Sequence, residues 1–271
     1  MAINFKDIRN NFFTPYKKYW IIFFVLIVLY FLNSTVRYFY YRNKITLGID
    51  RAVYVSNGVA INRYYVLANK KLIDDACVGL ITGKKGDFFV ITKERIYPAF
   101  ITNYNDARSN MVLLRITDSA LKHYAIIQID QPVYNRNRRI FFPMSVNLPG
   151  RFNFMSARIT DTISDNFFIA LKSFSDDDKL AGTPIFNRNY VLQGLIKEKN
   201  NSYATKTFRD LILTKIGFQN GYVVNSVKTI RRFLDSFNVE YSVISGNANI
   251  ANSKYAPKDS VVNIICVKPK Y

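Results

Sequence analysis

Residues Leu180 to Phe186 read Leu-Ala-Gly-Thr-Pro-Ile-Phe, a short frame of glycine and proline that leads directly into apolar residues. The turn residues 187–189 follow, and after them comes a second apolar run, Val191–Lys199. Runs rich in Val, Ile, Phe and Tyr recur about every ten residues over residues 51–225, with turn residues between them. This rhythm predicts an all-β barrel or sandwich.

One helix and a final strand complete the pattern. Asn225 or Ser226 can cap a helix whose apolar residues fall on one face, namely Val227, Ile230, Phe233, Leu234 and Phe237. Residues 239–258 are rich in Asn and Ser and predict a loop or a loose arm. Ser260–Val267 predicts a last strand, which could pair with the barrel or with a partner.

The composition is that of an ordered globular protein. The 271 residues suffice for one large or two small domains with a buried core. The net charge of +19 would attract anions such as nucleic acid or anionic lipid. Because the charge is spread along the chain, we favour a generally Lys- and Asn-rich composition over a dedicated anion-binding surface.

The sequence contains no recognisable metal or cofactor site. Cys77 and Cys266 cannot make a zinc site alone, and neither a Cys-x-x-Cys motif nor a phosphate-binding glycine-rich loop occurs. We therefore expect no metal and no cofactor. For the two cysteines we favour two buried thiols, and a single disulfide outside the cytosol stays open as the alternative.

An apolar segment near the N-terminus predicts a membrane anchor. Tyr19–Val36 carries no charge, and its 18 residues would span about 27 Å as a helix, close to the hydrocarbon core of a bilayer. Aromatic and basic residues flank both ends. A cleaved signal peptide is the alternative, but the residues after Leu32 match a cleavage site poorly. We therefore expect an uncleaved signal anchor.

Four segments, taken in order, resemble the trypsin-like fold of bacterial HtrA-like serine proteases. They are Ser56–Asn62 with Tyr65–Ile73, Asn110–Ile116, Lys179–Phe186 with Tyr190–Ile196, and Asn220–Leu234. The first contains the counterpart of the family's Ile-Leu-Thr-Asn-Asn-His-Val-Val, and the third resembles the loop that carries the nucleophilic serine. The resemblance covers residues 52–237 and implies a double β-barrel with a closing helix.

The resemblance also locates the catalytic positions of the family. There, a histidine takes the proton of the nucleophilic serine and an aspartate orients the histidine. These positions hold Lys71 for the histidine, Asn110 for the aspartate and Ala181 for the serine. The oxyanion-hole glycine maps to Lys179, where a side chain disfavours the required backbone twist. Without a nucleophile, acyl transfer has no first step, so we expect a protein that is not an enzyme.

Other residues offer weaker candidates for chemistry. His123 is the only histidine, and we interpret it as a surface or core residue in the connection between the barrels. The acidic stretch Ser175–Asp178 lacks the spacing of a calcium loop and favours a solvated loop. A serine paired with Lys71 as base is the remaining enzymatic option, but no serine stands at the nucleophile position.

The combined prediction is an all-β, trypsin-like double β-barrel with a C-terminal helix, preceded by one transmembrane helix. The predicted parts are a cytoplasmic N-terminus (1–18), the anchor (19–36), a linker (37–50), the first barrel (51–125), the second barrel with its helix (126–238), and a tail (239–271).

The predicted function is that of a catalytically inactive module in the bacterial inner membrane, with its globular domain in the periplasm. It would bind or scaffold polypeptide partners, with no specific nucleic acid. The alternatives are an active serine endopeptidase with a displaced site, and binding of nucleic acid or anionic lipid driven by charge. The sequence leaves the oligomeric state open.

Overall fold

The computed structural model describes residues 19, 22–32, 52–77, 88–117, 120–128, 138–145, 150–172, 180–199, 218–245 and 257–267. Residues 1–50 and residues 51–271 form two separate units. The described β-strands all lie in the second unit.

Residues 22–32 of the first unit are α-helical and expose large apolar side chains along their length. The exposed fraction is 60% for Leu26 and 64% for Phe31. Within the described residues, no helix has both the length and the hydrophobicity that crossing a bilayer requires. Part of the predicted anchor Tyr19–Val36 lies outside the described residues, so membrane anchoring stays a prediction.

Six antiparallel strands close the first barrel. They are β1 (Ala52–Ala60), β2 (Tyr65–Asn69), β3 (Phe88–Ile91), β4 (Ile96–Asp106), β5 (Met111–Ile116) and β14 (Val261–Val267). Their order around the barrel is β1-β14-β3-β4-β5-β2. Helix α1 (Lys70–Ala76) follows β2 directly, and Asn69 caps it by accepting a hydrogen bond from the Leu72 N–H at 3.1 Å. Alternate residues of each strand fill the interior, including Val66, Val90, Val112, Leu114 and Ile264.

The last strand of the chain lies inside the first barrel, between β1 and β3. Asn263 lies opposite Asn57 on β1, and Ile264 lies opposite Val90 on β3. Of the two destinations that the sequence left open for this strand, the structure shows the barrel of the chain itself. The strand therefore closes a barrel whose other strands end about 145 residues earlier.

A disulfide joins Cys77 to Cys266, and the prediction of two buried thiols is therefore wrong. Cys77 follows the end of α1, and Cys266 is the penultimate residue of β14. Their Cα atoms lie 6.1 Å apart, a separation that a disulfide can bridge, although 189 positions separate them in sequence. Nothing local in the sequence reveals this proximity, because it arises only when β14 joins the barrel.

The second barrel is also six-stranded. Its strands are β7 (Arg139–Ser145), β8 (Phe152–Ile163), β9 (Asn166–Lys172), β10 (Pro184–Phe186), β11 (Leu192–Lys199) and β12 (Phe218–Ser226). They follow the order β10-β7-β8-β9-β12-β11, and the pairing of β10 with β11 closes the barrel. Two short strands, β6 (Ile126–Gln128) and β13 (Ser242–Ile244), extend the sheet in parallel from β11.

An apolar core joins the two barrels. It combines Leu67 and Leu113 of the first barrel with Phe186 and Leu195 of the second. Helix α2 (Val227–Ser236) buries its apolar face in the same core, and Ser226 caps it. The prediction of an all-β double barrel with a late amphipathic helix is confirmed.

Candidate functional site at the junction of the barrels

Lys71, at the predicted histidine position, lies in the first turn of α1. The neighbouring Lys70 forms an ion pair with Asp74 one turn later in the same helix. Lys71 itself is exposed, and among the described residues its side chain has no hydrogen-bond or ion-pair partner. An ammonium group therefore stands where the family would have an imidazole held by a carboxylate.

Asn110, at the predicted aspartate position, ends the turn between β4 and β5 with a left-handed φ of 54°. Its backbone carbonyl accepts a hydrogen bond from the Lys70 N–H at 2.8 Å. Asn69 and Met111, the neighbours of these two residues, face each other in the β2–β5 pair. The structure thus brings positions 71 and 110 to the same end of the first barrel.

Asp106 holds the turn that presents Asn110. Its carboxylate accepts hydrogen bonds from the Ser109 hydroxyl at 2.6 Å and from the Arg108 N–H at 2.9 Å. Partial burial acts to raise the pKa of Asp106, but these hydrogen bonds outweigh it and the pKa is lowered. The Asn225 side chain of β12 donates to the Ser109 carbonyl at 2.6 Å, which ties this turn to the second barrel.

Ala181, at the predicted serine position, lies in a turn that is pressed against the first barrel. The next residue, Gly182, has a φ of 82° and donates its N–H to the Ile196 carbonyl at 2.8 Å. A Cβ on Gly182 would lie 2.8 Å from the Asn57 carbonyl oxygen and 3.2 Å from the Cβ of Asn69. Position 181 is therefore adjacent in sequence to a residue that contacts Asn69, and all three predicted positions converge around Asn69.

Asn69 is a junction residue that the sequence analysis missed. While its side-chain oxygen caps α1, its side-chain N–H donates to the Lys197 carbonyl of β11 at 2.8 Å. Asn69 is 1% exposed and Lys197 is half-buried, so this bond between the two barrels is partly buried. An asparagine between a strand and a helix signals a cap, but its second bond to a distant strand has no sequence signal.

A buried network of side chains lies on the other side of Gly182. Asn57 donates to the Thr183 hydroxyl at 3.1 Å and accepts from the Asn263 side chain at 2.9 Å. The side-chain oxygen of Asn263 accepts from the Gly150 N–H at 2.6 Å. This network connects β1, β14 and the segment after Ala181. An asparagine within the apolar run of β14 was the signal that could have revealed it, since a buried amide must find partners.

Tyr54 closes this network from β1. Its hydroxyl donates to the Asn57 side-chain oxygen at 2.8 Å. Burial raises the pKa of Tyr54 to about 12, and hydrogen bonding to Asn263 lowers it in smaller part. The hydroxyl is therefore a neutral donor at any physiological pH.

At the three predicted positions, the described residues do not carry the side chains that acyl transfer in the family uses. Position 181 presents a methyl group, position 71 an ammonium group and position 110 an amide. Two hydroxyl groups lie beside the turn, on Ser56 and Thr183, but both residues are fully buried and hydrogen-bonded to Asn57. Lys179, the predicted oxyanion position, lies outside the described residues.

The remaining candidates are His123 and the stretch Ser175–Asp178. His123 lies beside the β3–β4 turn, where its Nε2 is 3.9 Å from a carboxylate oxygen of Glu94. Its Nδ1 is buried and has no hydrogen-bond partner within the part of the chain that the structure describes. Ser175–Asp178 lies outside the described residues. In the part of the chain that the structure describes, no three acidic, histidine or cysteine side chains are placed to hold a metal ion.

No protein-family model matches the chain, and no curated protein matches it. The structure of an inactive serine-to-alanine mutant of Rv3671c from M. tuberculosis H37Rv is similar to this chain, with 13% sequence identity and a TM-score of 0.49. The alignment covers 73% of this chain and 92% of the Rv3671c chain. The alignment with the active form of the Rv3671c protease from M. tuberculosis covers 70% of this chain and 76% of the protease chain, with 14% sequence identity and a TM-score of 0.48. The alignment with the MamO protease domain from Magnetospirillum magneticum covers 66% of this chain and 87% of the MamO chain, with 14% sequence identity and a TM-score of 0.42. These similarities assign no function to this chain.

Proposed function

We propose that this protein is a catalytically inactive, trypsin-like double barrel that binds polypeptide at the junction of its barrels. The observation that carries the proposal is the convergence of Lys71, Asn110 and Ala181 around Asn69. These positions carry alanine in place of the serine nucleophile, lysine in place of the histidine and asparagine in place of the orienting aspartate.

The edge of β11 supports a role in binding extended polypeptide. Beyond Leu195, β12 is the described strand that pairs with β11, at Ile196 and Glu198. The backbone of Ile196 also exchanges hydrogen bonds with Gly182 and Thr183, so Glu198 is the position at which this edge can take a further strand. A strand with one unpaired edge can accept a peptide as an additional strand, which gives affinity through main-chain hydrogen bonds. Asn69 already occupies the Lys197 carbonyl, so we place the added strand at Glu198.

Two features support a position at the outer side of a bacterial cytoplasmic membrane. The exposed apolar side chains of residues 22–32 fit a lipid environment better than water. The Cys77–Cys266 disulfide suits an oxidising compartment such as the periplasm. We therefore propose a single-pass anchor through Tyr19–Val36, with residues 51–271 outside the cytoplasm.

The absence of catalysis is tested on the full chain in detergent, with a casein assay and a fluorophosphonate probe that labels reactive serines. We expect neither turnover nor labelling for the native chain. Ala181→Ser serves as the matched variant, and we expect it to remain unlabelled because no imidazole stands at position 71. Turnover of the native chain that one Ser→Ala change abolishes would establish a displaced serine peptidase instead.

Polypeptide binding is tested by placing a photo-crosslinking residue at Glu198 in the membrane-embedded protein, with Ile163 as the control. Ile163 is 58% exposed at the end of β8. A segment captured only at position 198 is then synthesised as a peptide and titrated against the full chain. We expect it to bind, and its backbone N-methylated form to fail, because β-strand addition needs the peptide N–H groups. Equal binding of both forms would contradict strand addition.

Charge-driven binding of nucleic acid is the alternative function, and DNA titrations of the full chain distinguish it from polypeptide binding. It predicts that DNA affinity falls steeply and linearly on a logarithmic salt scale, whatever the DNA sequence. DNA binding that competes with the captured peptide at physiological salt would replace the polypeptide proposal.

A further inference from the structure

Two arginines face each other on the second barrel. Arg139 of β7 and Arg158 of β8 are direct partners in the antiparallel pair. They share the outer face of the barrel, because Ile140, Ala157 and Ile159, which alternate with them, are buried inside. The pair concentrates positive charge on this face of the barrel, which favours the approach of an anion.

The turn between β10 and β11 adds a third arginine to this surface. Phe186 pairs with Phe141, so the turn residues that follow lie beside the beginning of β7. Arg188 of the turn, together with Arg138, Arg139, Asn187 and Asn189, lines an open cavity of about 450 Å³. Among the described residues that line it, three are arginines, two are asparagines and none is acidic.

The turn is held in one conformation. The side-chain oxygen of Asn187 accepts hydrogen bonds from the N–H groups of Asn189 at 2.8 Å and Val191 at 3.0 Å. The backbone of Asn187 also pairs with Val191, and the ring of Tyr190 contacts that of Phe154 edge-on at 5.3 Å between centroids. Arg188 is therefore presented from a fixed backbone, which lowers the entropy lost when it binds a ligand.

The chemistry of the cavity fits phosphate oxygens. Guanidinium groups donate paired hydrogen bonds to phosphate in a planar geometry, and amide side chains can donate further ones. A cavity of about 450 Å³ is larger than a single phosphate needs. It would accommodate two linked phosphates or the head group of an anionic lipid.

We propose that the cavity formed by Arg138, Arg139 and Arg188 with Asn187 and Asn189 is a binding site for phosphate groups. The ligand is a small oligophosphate or a phospholipid head group, and the shared phosphate chemistry defines the site. The proposal does not depend on what the junction around Asn69 does.

The test is a calorimetric titration of inorganic pyrophosphate into the full chain in detergent micelles. The variant Arg139→Gln/Arg188→Gln removes two guanidinium groups from the cavity. Arg63→Gln/Arg115→Gln removes the same charge from exposed positions on the first barrel. We expect about a tenfold or larger loss of affinity only in the first pair, as for the removal of charge-assisted bonds to an anion. Unchanged melting curves in both pairs would exclude misfolding.

Three results would overturn the proposal. The native chain could fail to bind pyrophosphate, or the two arginine pairs could weaken binding equally, which would indicate a general effect of net charge. A single-stranded oligonucleotide could also bind more tightly than pyrophosphate and lose affinity equally in the two pairs, which would indicate a diffuse polyanion surface.

The two sources of phosphate are separated by hydrogen exchange of residues 138–140 and 187–191 in nanodiscs. Protection in phosphatidylglycerol discs, compared with phosphatidylcholine discs, would identify the lipid head group as the ligand. Protection that appears only when pyrophosphate is added to either disc would identify a soluble oligophosphate. If neither the phosphatidylglycerol discs nor the added pyrophosphate changes the hydrogen exchange of these residues, the proposed site is contradicted.

Discussion

Asn263 donates a side-chain hydrogen bond to Asn57 across the β14–β1 pair, at 2.9 Å, in a place where both residues are 2% exposed. Asn57 in turn donates a hydrogen bond to Thr183, two residues after Ala181. The last strand of the chain thus holds the turn that defines the junction, through one intermediate residue.

Asn263→Ala should destabilise the protein by about 1–3 kcal/mol, because it leaves the buried Gly150 N–H and the Asn57 amide without one partner each. Asn153→Ala, at an exposed position of β8, is the matched control and should change stability by less than about 0.5 kcal/mol. Urea denaturation of the full chain in detergent measures both. Equal effects of the two changes would mean that the buried network contributes nothing specific.

Reduction of the Cys77–Cys266 disulfide should lower stability by about 2–5 kcal/mol, because the crosslink closes a loop that spans 189 positions and retains β14 in the first barrel. Melting temperatures with and without dithiothreitol measure the effect. The variant Cys77→Ser/Cys266→Ser should melt like the reduced protein and should not respond to the reductant. A reductant-dependent shift in that variant would show that the shift has another origin.

The ionisation of Tyr54 should make stability depend on pH in the alkaline range. Because the pKa is raised to about 12 in the folded state, the folded protein retains the proton longer than the unfolded chain. The stabilisation is complete below pH 10, the ordinary pKa, and is lost as the pH rises through 12.

The shift of two units corresponds to about 2.7 kcal/mol, and we expect about half of this or less because Tyr54 is 37% exposed and solvent screens the interaction. Denaturant titrations at several pH values measure the slope. Tyr54→Phe should flatten the curve between pH 10 and 12, whereas Tyr64→Phe, at a 52% exposed position, should leave it as in the native chain. Parallel curves for the two variants would contradict the assignment to Tyr54.

Sequence reasoning predicted the elements better than their partners. Alternation of apolar residues and turn signals are local patterns, and they predicted the strands and the helix that Ser226 caps. The location of β14 between β1 and β3, the disulfide that follows from it, and the bond from Asn69 to Lys197 are non-local. No periodicity encodes them, because they depend on which distant strand closes a barrel.

For the candidate site, the resemblance to a protease family selected positions 71, 110 and 181, and the structure brings them together. The polar residues that hold these positions in place were not found, since Asn57, Asn69 and Asn263 each lie within ordinary strand sequence. A buried asparagine in an apolar strand is costly unless it is bonded. That cost is the physical signal from which such residues can be sought.

Gly182→Ala tests how closely the turn after Ala181 is pressed against the first barrel. The residue has a φ of 82°, and a Cβ would approach the Asn57 carbonyl oxygen to 2.8 Å, so both the backbone and the contact resist a side chain. We expect a loss of about 1–3 kcal/mol and faster hydrogen exchange in residues 180–186.

Ala181→Ser, one residue earlier, is the matched control, because Ala181 is only partly buried and a hydroxyl there should change stability by less than about 0.5 kcal/mol. Exchange rates of β14 provide the second measurement. If the turn is coupled to the last strand through Asn57, Gly182→Ala should also accelerate exchange in Val261–Val267, and Ala181→Ser should not. Faster exchange confined to residues 180–186 would show that the network does not transmit the disturbance.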